Sequence, residues 1–229
     1  EQFHTIGDLY CQLWYDDRKY PVVVGPAEYD RIYPFIGHPD MWVSHFVLCK
    51  LPEATSLPYG VSVVPSKCAK PANQLLVLNR DEVVKTDTHA LCISPMNNNF
   101  KEWEMVIEWI EIHKLLGAKE ITLYKFWISH DTNKVLESYL KDNNDNTVNV
   151  INWPYPPLKS NVWCQRGALN DCLYRMGHRH KYVTITDMDE ILVPRRQGED
   201  WPQLVKRLHA LDTEIGAFLF QHISGETHH

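Results

Sequence analysis

The sequence predicts an α/β fold in which a β-rich N-terminal region precedes a mostly parallel sheet. Three observations carry this. Up to about residue 85, apolar runs are short, rich in β-branched and aromatic residues, and divided by Pro, Gly and Lys. From residue 89 onward, apolar runs alternate with helical patterns, the order that right-handed crossovers impose on a parallel sheet. The chain has 229 residues, 44% hydrophobic and 23% charged, which are globular values. A chain of this size buries roughly 70% of the surface it exposes when unfolded. The expected division is residues 1–85 and 86–229.

In the first region the expected strands are Tyr20–Val24, Trp42–Leu48, Val61–Val64 and Gln74–Leu78. His89–Ser94 then reads as a short buried strand, broken by Pro95 and by Asn97, Asn98 and Asn99. A helix is expected from about Phe100 to Leu116, with Asn99 as cap, Glu102 as its capping-box partner and Gly117 ending it. One stripe holds Trp103, Val106, Ile107 and Ile110, a second Met105, Trp109, Ile112 and Leu116. Only the strip around Glu104, Glu108 and Glu111 is polar, so this helix is expected to be mostly buried.

Ile121–Phe126 is the next strand, followed by a helix over Thr132–Leu140 capped by Asp131. After the Asp142–Asn146 turn, Thr147–Trp153 reads as a strand, and Pro154, Pro156 and Pro157 make a stiff non-helical connection. A helix over Trp163–Met176 would bury Leu169, Cys172, Leu173 and Met176. Tyr182–Thr186 is a strand. Asp200 caps a last helix with Pro202 in its first turn, lined by Leu204, Val205, Leu208 and Leu211, and Ile215–Ile223 is the expected final strand.

Net charge is −6 with a pI near 6.0, which argues against a nucleic-acid binder. No apolar run approaches the ~20 residues of a membrane span. The chain opens on Glu1 without the pattern of a signal peptide, and either a piece of a longer protein or a shortened protein is expected. Six cysteines, none spaced C-x-x-C, fit disulfides in an oxidising compartment or buried thiols rather than a zinc site. No N-x-S/T sequon occurs.

The sharpest chemical signal is Asp187-Met188-Asp189-Glu190, directly after the Tyr182–Thr186 strand. Alternate residues of an extended chain point the same way, so Asp187 and Asp189 would face one point while Met188 faces the core. In an open parallel sheet, ligands sit beyond the carboxyl ends of the strands. Two carboxylates aimed there suit a hard divalent cation, Mg²⁺ or Mn²⁺, which keeps positions open for phosphate oxygens. The plain alternative is an acidic turn after a strand.

Four blocks extend this motif. They are Cys92-Ile93-Ser94-Pro95; Glu108 through Gly117; Val135–Tyr139 with Asn152-Trp153-Pro154; and Gln165, Ala168–Leu173, Tyr182-Val183 and Asp187–Pro194. In order and spacing, the segment from Leu91 to about Pro194 resembles glycosyltransferase family 92. The first 85 residues resemble, more loosely, the β-rich lumenal region that precedes the catalytic part there.

The resemblance implies a GT-A-like fold and a metal-dependent transferase, inverting, that moves a sugar, typically galactose, from a UDP-sugar to a glycan acceptor. It implies Mn²⁺ or another divalent cation at Asp187 and Asp189, with Glu190 as the acidic residue that follows and a candidate base. It implies a donor contact at Cys92, Ser94 and Pro95. The family's usual setting is the Golgi membrane, lumenal side, through one N-terminal anchor.

Arg166, Asn170 and Asp171, on the helix before the metal strand, are further donor-binding candidates or else a solvated face. Glu108, Glu111 and His113 read as structural, Arg195 and Arg196 as an exposed pair. Trp103, Trp109 and Trp201 read as core, and Trp153 and Trp163 as freer candidates for stacking on sugar. Only about forty residues follow Asp189, fewer than a complete enzyme of this kind needs, so the general base is expected to lie outside the chain. One rival is a non-catalytic relative that binds a sugar nucleotide or a partner. The other is a D-x-D phosphatase or phosphotransferase, whose Gly and Thr after the second Asp are replaced here by Glu190 and Ile191.

Overall fold

A computed structural model describes residues 7–32, 44–53, 56–142, 145–154, 164–211 and 214–221. Three sheets and four helices are present among them. Strands β1 (Tyr10–Trp14), β2 (Val22–Val24), β5 (Gly60–Val64) and β6 (Leu75–Leu76) form an antiparallel sheet in the order β2-β1-β5-β6. Strands β3 (Glu28–Arg31) and β4 (His45–Leu48) pair antiparallel beside it. The sequence reading missed β1 and β3. β1 carries Gln12 on an otherwise apolar face, where the buried amide donates to the Ala69 carbonyl at 2.9 Å. β3 is mostly polar, so neither strand shows a β pattern by itself.

The second half is a four-stranded parallel sheet of β7 (Thr86–Ile93), β8 (Ala118–Lys125), β9 (Val148–Asn152) and β10 (His180–Thr186), ordered β10-β7-β8-β9. Helices α1 (Trp103–Leu115), α2 (His130–Lys141) and α3 (Gln165–Met176) make the crossovers, and α4 (Trp201–His209) follows. Both faces of the central strands are covered, which is why Ala90-Leu91-Cys92-Ile93 of β7 reads as a continuous apolar run. Leu91, Ile93, Ile121 and Leu123 pack under α1, α2 and Trp201 of α4. The alternate residues Ala90, Cys92 and Tyr124 pack with Ala168, Cys172 and Met176 of α3. Two disulfides, Cys11–Cys49 and Cys92–Cys172, fasten β1 beyond β4 and β7 to α3. Cys68 and Cys164 are free thiols.

Several expectations change at the element ends. Glu102, not Asn99, is the residue before α1, and no side chain caps that helix. Asn98 and Asn99 instead take left-handed backbone (φ 57° and 54°), which Asn tolerates better than most residues. Only Val106, Trp109, Ile110 and His113 of α1 are buried; Trp103 and Met105 are exposed, because the helix packs on one side alone. Ser129 rather than Asp131 caps α2, its hydroxyl accepting from Thr132 N–H at 3.2 Å. Leu173 and Leu211 face solvent. Residues 215–221 are not a strand, while residues 222 and 223 lie outside the described residues. The Asp200 cap of α4 holds, accepting from Gln203 N–H at 2.9 Å. Gly117 takes φ +106°, and a Cβ there would meet Pro202 Cδ at 2.8 Å, so glycine is what lets α4 close on the end of α1. Trp201 N–H completes that contact on the Leu116 carbonyl at 2.9 Å.

Two buried histidines flank Trp201. His89 stacks on Tyr182 at 4.8 Å and lies 6.0 Å from Trp201; His113 lies 5.4 Å from Trp201 and 4.4 Å from Trp109. His113 Nδ1 donates to the Trp109 carbonyl at 2.7 Å, and the Nε2 atoms of both rings have no partner among the described residues. Burial depresses both imidazoles below their usual value of 6.5, outweighing the pull of Asp87 and Asp200 on His89. The fold therefore keeps both rings neutral where the unfolded chain takes up protons. Stability from this source is full above about pH 6.5 and is lost as pH falls from there toward the depressed folded values. The melting temperature is expected to drop between about pH 7.5 and about pH 5.5, and less so in His113→Phe. An identical acid slope in both proteins would exclude His113 as a cause.

Candidate functional site

The site lies where β7 and β10 end. They run side by side, with Ile93 opposite Thr186, so the residues that follow, Ser94 and Asp187, leave the sheet together. The carboxyl edge also receives the loop after β7. Ile93 to Glu102 and Met188 line a cavity of about 350 Å³ there. Main-chain bonds brace that loop against the end of β8: Met96 N–H donates to Tyr124 O at 2.9 Å, and Phe126 N–H to Met96 O at 3.0 Å.

Asp187-Met188-Asp189-Glu190 is a tight turn rather than continued strand. Glu190 N–H donates to the Asp187 carbonyl at 3.1 Å, and Asp187 N–H donates to the Glu190 carboxylate at 3.1 Å. The alternation expected of an extended chain therefore does not orient the two aspartates; the turn does. Both are exposed, while Met188 packs back on the core as expected. Asp187 Oδ1 accepts from the Ser94 hydroxyl at 2.7 Å, and Ser94 Oγ accepts from Gln165 Nε2 at 2.6 Å. The Asp187 carbonyl also accepts from the buried Trp109 indole at 3.2 Å and from Thr186 Oγ1 at 2.8 Å. The Asp189 carboxylate makes no hydrogen bond or ion pair among the described residues.

The other sequence candidates divide. Ser94 and Pro95 line the cavity. Cys92 does not reach it: its side chain is 0% exposed and its sulfur is bonded to Cys172, since β7 turns that residue toward α3. Asp171 is committed to structure. It accepts from the Tyr124 hydroxyl at 2.6 Å and from Arg175 at 2.9 Å, and burial with this bond pushes the Tyr124 hydroxyl up. Asn170 donates to the Arg166 carbonyl at 2.8 Å within α3, and Arg166 is exposed beside Gln165 in the first turn. Trp153 packs edge-on against Tyr124 at 5.2 Å with its indole nitrogen buried, so it is no free platform for a sugar; Trp163 lies outside the described residues. Glu108 and Glu111 are exposed, Arg195 and Arg196 likewise.

Sequence reasoning gave Gln165 no role, although it is part of the fourth motif block. Nothing local marks it. It reaches the site because α3 starts at the same edge of the sheet where Ser94 emerges.

The model of "Glycosyltransferase family 92" matches residues 87–228, well over half of the chain. This chain belongs to glycosyltransferase family 92. A relative in Caenorhabditis elegans, named "Beta-1,4-galactosyltransferase galt-1", is 24% identical over 172 residues, covering 69% of this chain. The chain spans 39% of that relative's length. The match begins at the second residue of β7 and takes in the rest of the parallel sheet, the cavity and the acidic turn.

Proposed function

We propose that residues 86–229 form the donor-binding part of a GT-A-like glycosyltransferase that moves galactose from UDP-galactose to a glycan, and that residues 1–85 form a β-rich lead-in. The observation that carries this is the acidic turn at the rim of the 350 Å³ cavity, at the carboxyl edge of the parallel sheet. Membership of the family supports the reaction class. The relative's printed name supports the choice of sugar.

The donor set suits a hard divalent cation, Mn²⁺ foremost. Among the described residues Asp189 is unpartnered, and Asp187 has one oxygen left over from its bond to Ser94. Among the described residues no group of three or more His, Cys, Asp and Glu gathers to hold a metal. Cations of this kind are commonly held by one or two carboxylates together with substrate phosphates and water. Bound there, the cation would neutralise charge on the departing diphosphate.

The remaining work falls to the chain. Ser94, Pro95 and Met188 line the cavity in which the nucleotide would lie. Asp187 and Asp189 would fix the diphosphate end, leaving the anomeric carbon open to an acceptor hydroxyl from the opposite side, with inversion. Glu190 has its carboxylate on Asp187 N–H, so we assign it to holding the turn rather than to taking the acceptor's proton. The proposed setting is the Golgi lumen, reached through a single N-terminal anchor. The two disulfides fit such an oxidising compartment. No helix among the described residues is long and apolar enough to cross a membrane.

Thermal melts with a panel of UDP-sugars, with and without Mn²⁺, test the reading. A ligand at about a hundred times its Kd stabilises by roughly 2.7 kcal/mol. A Mn²⁺-dependent shift is expected with UDP-galactose, and its absence with every UDP-sugar would sink the donor site. A shift without transfer to any glycan would identify a relative that binds without turnover.

A further inference from the structure

Asp187 is held from more sides than an exposed aspartate needs. A carboxylate only accepts, so the contact at 2.7 Å requires Ser94 to spend its one proton on Asp187 Oδ1. The Ser94 oxygen is then left to accept, and Gln165 Nε2 donates to it at 2.6 Å. This fixes the Gln165 amide with its NH₂ toward Ser94 and gives the chain one direction, from amide to hydroxyl to carboxylate. Both ends rest on rigid elements. Ser94 directly follows β7, Gln165 opens α3, and the Cys92–Cys172 disulfide ties strand to helix two residues from Ser94. The Asp187 main chain is clamped as well, by Glu190 and by the Trp109 indole. Asp187 Oδ2 has no hydrogen-bond partner among the described residues, and Asp189 is bare.

We propose that Ser94 and Gln165 are positioning residues that hold the Asp187 carboxylate in one orientation, so that Oδ2 alone is presented to the cation and diphosphate. The two aspartates are then unequal: Asp187 is preorganised and Asp189 adjusts. The inference rests on the assignment of Asp187 to donor binding. Hydrogen bonds of this kind to a metal-binding carboxylate typically change affinity by about 10- to 100-fold when removed.

The test is Mn²⁺ binding in the presence of UDP, followed on the full chain by the electron paramagnetic resonance signal of free Mn²⁺, with melting temperatures taken on the same samples. Ser94→Ala is expected to weaken binding roughly 10- to 100-fold, while Ser94→Thr, which keeps the hydroxyl, stays near wild type. Gln165→Glu is the sharper variant. Its carboxylate only accepts, so it draws the Ser94 proton away from Asp187 and should weaken binding like Ser94→Ala, with the melting temperature held. Wild-type affinity in both Ser94→Ala and Gln165→Glu, alongside loss in Asp187→Asn, would overturn the relay while leaving the donor site intact. Wild-type affinity in Asp187→Asn would overturn the donor site and the relay with it. If Ser94→Thr fails as badly as Ser94→Ala and all variants melt early, Ser94 serves packing and the proposal falls.

Discussion

In a complete version of the protein, Asp189→Asn is expected to lower the rate of sugar transfer on the order of 100-fold or more, with an unchanged melting temperature. The substitution keeps shape and removes one negative charge. Because Asp189 is exposed and bonded to nothing among the described residues, no buried group is orphaned and the fold should not notice. The loss would belong to the chemistry: under the proposed donor site, charge builds on the diphosphate as the glycosidic bond breaks, and Asp189 would be half of the means of holding the counter-charge there. Because Asp189 would also grip the bound donor through the cation, kcat/KM is expected to fall at least as far as kcat. Steady-state kinetics at saturating Mn²⁺, with UDP-galactose varied through its KM, provide the check. Undiminished turnover would rule out Asp189 as a metal ligand.

Removal of the Cys92–Cys172 disulfide, as the double variant Cys92→Ala and Cys172→Ala, should give the largest loss of stability. The two cysteines are 80 residues apart in sequence. Closing a loop of that length in the unfolded chain corresponds to about 4.5 kcal/mol in the chain-entropy account, and measured losses for native disulfides run from about 2 to 5 kcal/mol. At roughly 2–4 °C per kcal/mol for a chain of this size, the melting temperature should fall by about 10 °C. Both sulfurs are buried between β7 and α3, so the alanines also leave space in the core. The same bond ties the strand that delivers Ser94 to the helix that delivers Gln165, so the variant should lose donor affinity beyond its loss of stability. Equal melting of the variant and the oxidised wild type would show that the disulfide contributes nothing to the fold.

Much of the second half was legible before any coordinates. The run around Leu91 is apolar on both faces, and it and the runs around Leu123, Val150 and Val183, separated by helical patterns, leave few options besides a covered parallel sheet. The Asp200 cap and the glycine at 117 were equally plain, because each acts within a few residues of chain. The N-terminal half was less legible. β1 is a central strand between β2 and the distant β5, and its buried Gln12 is tolerated only because Ala69 supplies an acceptor 57 residues away. Caps failed where a competing bond won: Ser129 sits one turn ahead of Thr132 and captures its N–H, which Asp131, inside the helix, is not placed to do.

Residue type and order by themselves determined the α/β class, the family, and the two carboxylates that follow the last strand of the sheet. Those properties reside in local pattern and in motif spacing, which survive without knowledge of what packs where. Tertiary structure alone decided which candidates share a place. It put Cys92 into a disulfide and Asp171 onto Tyr124 and Arg175, because strand alternation and helix phase send those side chains into the interface between β7, β8 and α3. It brought Gln165 to Ser94 and Ser94 to Asp187, across 71 and 93 residues of sequence. Hydrogen bonds reach about 3 Å and depend on direction, so contacts so distant along the chain exist only once the parallel register of β7 and β10 brings both strand ends to the same edge.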